Sequence, residues 1–477
     1  MQKIPSENLA IDRKNRLNQP AREVEYRSPE ERVKDFEEIS ITFDEERARQ
    51  EAARCLHCPD PAICTLACPA NNDIPSIMWL TEQGRFLEAA AIYRQYSSLP
   101  EVCGRVCPHT DLCAGACVLG KDGVPIRTGE LEAFVIDYAR RVEGVEVPVA
   151  PSSGKKVAVV GGGPAGLACA EQLVQLGHEV TVFEAKPVAG GLLLYGIPNF
   201  KLSKKVLFER IGDLEKAGIK FVKNTQIGKE KAIDDLFKEG FGAVFVGVGA
   251  NIDAPMNIPG EDLPGVHKAT EFLIRTNVDE KYLPPGLTAD IDIRDKRIVV
   301  IGGGDTASDC LRSSLRLGAR EVICAYRRTE KEMPGSPKDR KLTRQEGAQY
   351  HFLTQPVKFI VGDDGRLAAL ECIEMELGEP DEGGRRRPIP KEGTNFIFEA
   401  DIAIKALGNW PDPTIGETTP DLETGKWGLV IADPETGATS RSGVFAGGDA
   451  VSGPDLVVTA MVAGRKAAKA IDEFLKK

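Results

Sequence analysis

Apolar positions along the chain fall into two kinds of pattern. Two short unbroken runs, Val157-Ala158-Val159-Val160 and Ile298-Val299-Val300-Ile301, each follow a basic residue and run into glycines. Runs of this length and β-branched content read as strands buried on both faces of a parallel sheet. Each is followed by a helical pattern and then a second strand-like run, Glu179 to Phe183 in the first case and Glu321 to Tyr326 in the second. The predicted fold class is therefore α/β, with two nucleotide-binding units of Rossmann type in tandem. A third strand-like run, Gly443 to Ala446, leads into Gly447-Gly448-Asp449 near the C-terminus.

Upstream the pattern changes. Residues 1–50 are highly charged, with a helix expected to end in the run Glu45 to Arg54. Between 51 and 145 the spacing predicts helices over Pro75 to Tyr96 and Gly129 to Val142, and β-branched runs are few. This is a small helical domain. Val147-Pro148-Val149-Ala150-Pro151-Ser152-Ser153-Gly154 then marks a linker. The Gly- and charge-rich stretch Glu379 to Arg387 reads as a surface hairpin tip.

The first glycine turn, Gly161-Gly162-Gly163-Pro164-Ala165-Gly166, fits G-x-G-x-x-G directly after a strand. Gly161 permits the turn, Gly163 lets backbone approach a pyrophosphate, and Gly166 lets helix and strand pack closely. Pro164 and Ala165 open the helix whose N-terminal amides face the phosphate. Glu184 ends the next strand about 20 residues on, where an acid accepts bonds from a ribose. A ligand-free tight turn would need neither the helix nor the acid. Gly190-Gly191-Leu192-Leu193 allows backbone, at Gly191 and Leu192, to pass close to a flat ring.

The second turn, Gly302-Gly303-Gly304-Asp305-Thr306-Ala307, fits G-x-G-x-x-A. The candidate contacts here are Gly302, Gly304, Asp305 and Thr306. At the end of its second strand stand Arg327 and Arg328, where the first unit has Glu184. Arginines there suit a ribose 2′-phosphate, so NADPH is expected rather than NADH. Two dinucleotide sites in one chain imply a relay between a nicotinamide and a flavin. The hydride chemistry belongs to those cofactors, and no protein acid or base is assigned to it.

Cysteine usage adds a second chemistry. Of 12 cysteines, eight lie between Cys55 and Cys117. They form two groups of four: Cys55, Cys58, Cys64 and Cys68, then Cys103, Cys107, Cys113 and Cys117. In a long chain without a secretion signal, such clustering reads as metal ligation rather than disulfides. Thiolates suit zinc or iron–sulfur clusters, and a neighbouring flavin makes redox clusters the more useful. Two 4Fe-4S clusters are the expectation, and spacing alone would place each within one group of four. His57 and His109 are expected beside the clusters or at the surface rather than as ligands.

Charge and hydropathy exclude other classes. The 477 residues carry a net charge of −11, which argues against a general nucleic-acid binder. No run approaches the roughly 18 apolar residues of a membrane span. Met1 to Pro20 is polar and has no apolar signal-peptide core, so the cytoplasm is the expected location.

Several motifs together resemble a known family, the small (β) subunit of glutamate synthase and its relatives. They include Leu99-Pro100-Glu101-Val102-Cys103-Gly104-Arg105-Val106-Cys107-Pro108, Tyr326-Arg327-Arg328 with Met333-Pro334-Gly335, and Phe445-Ala446-Gly447-Gly448-Asp449. Among the relatives are the NADPH-binding subunit of the ferredoxin:NADP transhydrogenase and the N-terminal part of dihydropyrimidine dehydrogenase. The resemblance implies FAD at Gly161–Glu184, with Gly448 and Asp449 returning to it. The NADPH unit is then inserted within the FAD domain. The implied organisation is a helical iron–sulfur domain over 1–150, FAD domain over 151–285, NADPH domain over 286–405 and returning FAD domain over 406–477.

The family pattern also interleaves the cluster ligands. One cluster takes Cys55, Cys58, Cys64 and Cys117; the other takes Cys68, Cys107, Cys113 and Glu132, leaving Cys103 a bystander. The five residues between Cys58 and Cys64 exceed the family's four by one. The implied function is electron input from NADPH through FAD and the clusters to a larger catalytic subunit, such as that of glutamate synthase. The alternatives are a ferredoxin or partner flavoprotein as acceptor, in a bifurcating transhydrogenase for example, or a non-catalytic redox-sensing scaffold.

Overall fold

The computed structural model describes residues 9–121, 123–380 and 384–477. Two five-stranded parallel sheets organise the chain. In the first, the strands run in the order Val444–Ala446, Ala243–Val246, Lys156–Val160, Glu179–Phe183 and Lys220–Val222. In the second, the order is Gln349–Phe352, Glu321–Tyr326, Arg297–Ile301, Ile402–Lys405 and Val266–Lys268. The first strand of each turn motif is central, so its glycines open onto the carboxyl edge between neighbouring strands, where nucleotides bind.

The C-terminal strand Val444–Ala446 pairs with Ala243–Val246, so the last part of the chain rejoins the first sheet. The second unit is an insertion. Its entry and exit run side by side as the antiparallel pair Ala250–Asp253 and Asn409–Pro411. The sequence suggested 286 as the start of this unit. The sheet instead draws its edge strand from Val266–Lys268, a run too short and polar to stand out as a buried strand. An antiparallel sheet, Thr354–Val361, Leu367–Pro380 and Arg386–Pro390 with Phe396–Glu399, is added to the second unit. Of the hairpin expected over 379–387, the flanks pair at Pro380 and Arg386, and residues 381–383 lie outside the described residues.

The N-terminal domain is helical. The expected stretch Pro75 to Tyr96 is two helices, Ile74–Glu82 and Phe86–Tyr96, broken at Gly84 with φ +74°. Thr128–Glu143 packs against them through Leu131, Phe134 and Val135 onto Ile77, Leu80 and Phe86. This domain is fused to the first unit by a shared apolar cluster that joins Leu99, Val102 and Cys103 to Leu193, Tyr195 and Met461. Fully buried Arg210 crosses the same boundary. It bonds the carbonyl of Ser98 at 3.1 Å and pairs with Glu171 and Glu101.

The segment before the cysteines ties all three parts together. The amide of Ile39 bonds the carbonyl of Phe200, and Asn199 Nδ2 bonds that of Phe36. Arg32 inserts into the second unit, with Nε 2.6 Å from Glu346 Oε1. Arg312 and Arg316 converge on the same carboxylate at 2.8 and 2.7 Å and stack on the Phe200 ring. All four charged side chains are essentially inaccessible to water.

One carboxylate thus accepts from three guanidiniums, of which Arg312 also reaches Asp339 at 3.4 Å. Burial alone would raise the Glu346 pKa, but hydrogen bonds from Arg312 and Arg316 hold it at about 2. The folded value lies below the ordinary 4.5, so the stabilisation is present above 4.5 and is lost as pH falls toward about 2. E346Q is expected to cost about 3–5 kcal/mol, as for a buried charge cluster deprived of its counter-ion. Urea unfolding at neutral pH reads this, and an unchanged midpoint would show that the cluster is not a fastening.

Candidate functional site

The first glycine turn is held by contacts that exclude side chains. Gly161 has φ +101°, and a Cβ there would meet the carbonyl oxygen of Gly247 at 2.5 Å. A Cβ on Gly166 would lie 1.9 Å from the carbonyl oxygen of Gly161, so helix Pro164–Gln175 begins pressed against its strand. Gly191, at φ +54°, lies against Gly163, where a Cβ would stand 2.9 Å from the Gly163 Cα. Buried Glu184 accepts 2.9 Å bonds from the amides of Gly162 and Lys186. Burial raises its pKa against the pull of those amides.

Gly448, with φ +69°, brings Asp449 to the same place. Burial pushes the Asp449 carboxyl up to about 7. Pro164, Ala165, Leu192 and Asp449 all line one cleft of about 890 Å³. A strip of backbone without Cβ atoms, a buried acid on the glycine turn and a second acid opposite fit a flavin dinucleotide.

The cleft continues in two directions. Toward the second unit it reaches Asp305 and Thr306, and toward the N-terminal domain it reaches Cys107 and His109. At the second turn Gly302 has φ +141°, and a Cβ there would lie 2.1 Å from the carbonyl oxygen of Ala406. A Cβ on Gly304 would meet nothing within 4 Å, which leaves open space over the turn. Asp305 Oδ1 accepts the amide of Ser336 at 2.8 Å, and the Gly335 amide bonds the Gly303 carbonyl, so the loop after the second strand closes over the turn. The two arginines at that strand end have different surroundings. Arg328 is buried and donates from Nε to the Arg386 carbonyl at 2.7 Å. Arg327 is more exposed, and partial desolvation of its guanidinium, followed by the charges of Arg328 and Arg385, holds its pKa below the ordinary value.

The cysteines meet across the two sequence groups. The Cys55 thiol is pushed up to about 12 by burial and by its neighbours Cys117 and Cys58. Cys64 reaches about 12 through burial and the proximity of Cys55, Cys117 and Cys58. Cys68, Cys107, Cys113 and Glu132 line a separate small cavity, together with Cys103 and Tyr93. Glu132 is buried, its Oε1 has no hydrogen-bond partner, and burial followed by the nearness of Cys103 and Glu101 raises its pKa well above the ordinary range.

Thiols packed in this way disfavour each other's ionisation, and the positive charge of a metal centre reverses that. Among the described residues no three His, Cys, Asp or Glu side chains close around a single ion. His57 is buried, with its pKa down at about 4 through burial and the charges of Arg16 and Arg13. Arg13 and Arg16 reach over the first set, bonding the carbonyls of Leu56, His57, Ala53 and Cys55. His109 also titrates at about 4, lowered by burial.

Sequence reasoning missed two features, one on the cleft wall and one at the end of the second strand of the second unit. Lys201 pairs with Asp309 at 2.9 Å and Asp339 at 2.8 Å on the cleft wall. Arg385 comes from the hairpin to the strand end of Arg327. Neither has a local signal, because each pairs residues far apart in the chain. Asp309 alone, on the helix after the second turn, lay within reach of the motif.

Comparison with known proteins agrees with this geometry. Residues 32–144 match the family described as dihydropyrimidine dehydrogenase domain II, 4Fe-4S cluster, and residues 155–464 match pyridine nucleotide-disulphide oxidoreductase. The class is thereby defined: an iron–sulfur oxidoreductase dependent on a pyridine nucleotide. The chain is 41% identical to the glutamate synthase [NADPH] small chain of Escherichia coli, over 93% of this chain and 94% of that one. It therefore belongs to the glutamate synthase small-chain family. It is also 39% identical to the NADP(+)-dependent formate dehydrogenase subunit beta of Moorella thermoacetica, over 87% of this chain and 60% of that one. In fold it resembles Mycobacterium tuberculosis FprA in complex with NADPH, with a TM-score of 0.57 and 20% identity over 69% of this chain and 85% of that one. Among the described residues no helix is long and apolar enough to cross a membrane.

Substituting G302A forces a side chain into the Ala406 carbonyl at a positive φ and costs about 1–3 kcal/mol of strain at the turn. Expected is loss of nicotinamide nucleotide binding with flavin retained, read by equilibrium titration and by absorbance. Unchanged nucleotide affinity would separate this turn from the site.

Proposed function

We propose that this chain is the electron-input subunit of a larger complex of the glutamate synthase type. NADPH sits at Gly302, Gly304, Asp305 and Thr306, with Arg327 and Arg328 at its ribose end. FAD sits at Gly161, Gly163, Pro164, Ala165, Gly166 and Glu184, covered by Gly191 and Leu192 and met by Gly448 and Asp449. Cys55, Cys58, Cys64 and Cys117 hold one 4Fe-4S cluster, and Cys68, Cys107, Cys113 and Glu132 hold the other.

The observation that carries this reading is the continuity of one cleft from Asp305 and Thr306, past the first glycine turn, to Cys107. Bound flavin supplies the conversion between a two-electron hydride and single electrons. The protein's part is to hold the two rings against each other and to shield them. The Lys201 pairs with Asp309 and Asp339 fix the loop of the first unit to the helix after the second turn and to helix Pro337–Gln345. Lys204 donates to the carbonyls of Leu193 and Ile197, which fastens the backbone beside Leu192.

The acceptor lies on another chain, a larger catalytic subunit that carries the glutamine and 2-oxoglutarate chemistry. A second reading, an acceptor of another kind, is favoured by the relative named as a formate dehydrogenase subunit. The nicotinamide is common to both.

R327E is the test of the nicotinamide. Losing a charge-assisted contact to phosphate should cut NADPH efficiency relative to NADH about ten-fold or more. Steady-state reduction of an artificial acceptor with each nucleotide measures this, and an unaltered preference removes NADPH from the reading.

A further inference from the structure

Cys113 has a hydroxyl neighbour that is not itself a proposed ligand. Thr128 Oγ1 lies 3.2 Å from Cys113 Sγ, and both side chains are buried. Between a thiol and a hydroxyl either atom can donate. A metal-bound sulfur is a thiolate and has no proton to give. In a loaded site the bond therefore has one direction, from the Thr128 hydroxyl to the Cys113 sulfur.

The backbone around this contact leaves the hydroxyl little freedom. Thr128 is the first residue of helix Thr128–Glu143, and Glu132 follows one turn later, so the two side chains share a face and line the same small cavity. That turn is pressed against the cysteine-bearing segment at two glycines. A Cβ on Gly129 would stand 2.4 Å from the His109 ring. A Cβ on Gly104, on the helix that runs into Cys107, would stand 2.6 Å from the amide nitrogen of Ala133. Opposite, the amides of Ala114 and Gly115 both bond the His109 carbonyl, at 2.9 and 3.0 Å, which holds the loop that presents Cys113.

Position gives the contact a consequence. Cys107, His109 and Thr128 line both this cavity and the long cleft of the first glycine turn, so they form the wall between the two. A cluster held there is on the flavin side of the helical domain. A hydrogen bond to a ligand sulfur favours the more negative, reduced state of a cluster and so raises its reduction potential.

We infer that Thr128 is a positioning residue for the cluster of Cys68, Cys107, Cys113 and Glu132: its hydroxyl donates to Cys113 and raises the reduction potential of that cluster alone. This rests on the ligand set of the proposed function. It adds a residue that touches the cluster only through a ligand.

Redox titration of the anaerobically reconstituted full chain, followed by EPR, reads the midpoint of each cluster. T128V keeps the branched shape and removes the hydroxyl. It should lower one midpoint, by about ten-fold in the one-electron equilibrium or about 59 mV, and leave the other where it was. T128S, which keeps a hydroxyl, should hold the midpoint close to that of the unaltered protein. If T128V takes up less iron, T128A, which lacks the hydroxyl and adds no bulk, is read in the same way. Two clusters whose midpoints stay put without the hydroxyl would overturn the inference and leave the ligand set standing. A midpoint that falls as far in T128S as in T128V would also overturn it, because the effect would then be one of packing. An unaltered chain with no iron–sulfur signal removes the ligand set and the inference together.

Discussion

The closure of the first sheet by the end of the chain is the constraint on which the rest of the molecule depends. Helix Val457–Leu475 lies against helix Pro164–Gln175 at glycine distance. A Cβ on Gly464 would stand 2.1 Å from the carbonyl oxygen of Ala165, one residue before the last glycine of the turn. The same closure brings Gly448 beside Ala165 and so delivers Asp449 to the cleft. Because the C-terminal strand must rejoin this sheet, the whole second unit is threaded through one pair of antiparallel strands. The helical domain is mounted on the same helix, through Arg465 to Ser98 and Gln95 and through Ser97 to Met461. The first glycine turn, Asp305 and Thr306 of the second turn, and Cys107 are thereby set around one cleft.

Two buried charge clusters then fix the angles between the parts. One joins the helical domain to the first unit through Arg210, and the other joins the leading segment to the second unit through Arg32 and Glu346. Buried ion pairs are weak sources of net stability, but removing one partner is costly. Their effect here is geometric. Electron transfer between separate centres needs a fixed distance, and clusters of several charges allow few alternative packings. Phe200, which stacks under two of the arginines, also gives its carbonyl to the leading segment, so the fastening and the cleft wall are one structure.

Much of this was legible in the sequence because it is local. The strand–glycine–helix order of both turns, the helices around the cysteines and the arginines at the second strand end each declare themselves within a few residues. What was not legible is long-range. Strand Val266–Lys268 carries no apolar run, and nothing near Arg32 points to Glu346. From spacing alone each group of four cysteines looked self-sufficient, yet Cys117 stands with Cys55, Cys58 and Cys64. Glu132 has no metal-ligand spacing at all; only the resemblance to the family singled it out, and its buried, unpartnered oxygen gives that choice a physical basis. Arg385 was read as part of a surface tip, because a hairpin's destination is written in its partner strand rather than in its turn.

The central claim is that two cluster sites, each drawn from both cysteine groups and one completed by Glu132, stand at the end of a flavin cleft. Low-temperature EPR of the anaerobically reconstituted, dithionite-reduced full chain tests it, with E132A alongside. The account predicts two iron–sulfur signals in the unaltered protein and a change confined to one of them in E132A. Two signals untouched by the substitution would contradict the ligand set, and a preparation that takes up neither iron nor flavin would contradict the relay itself.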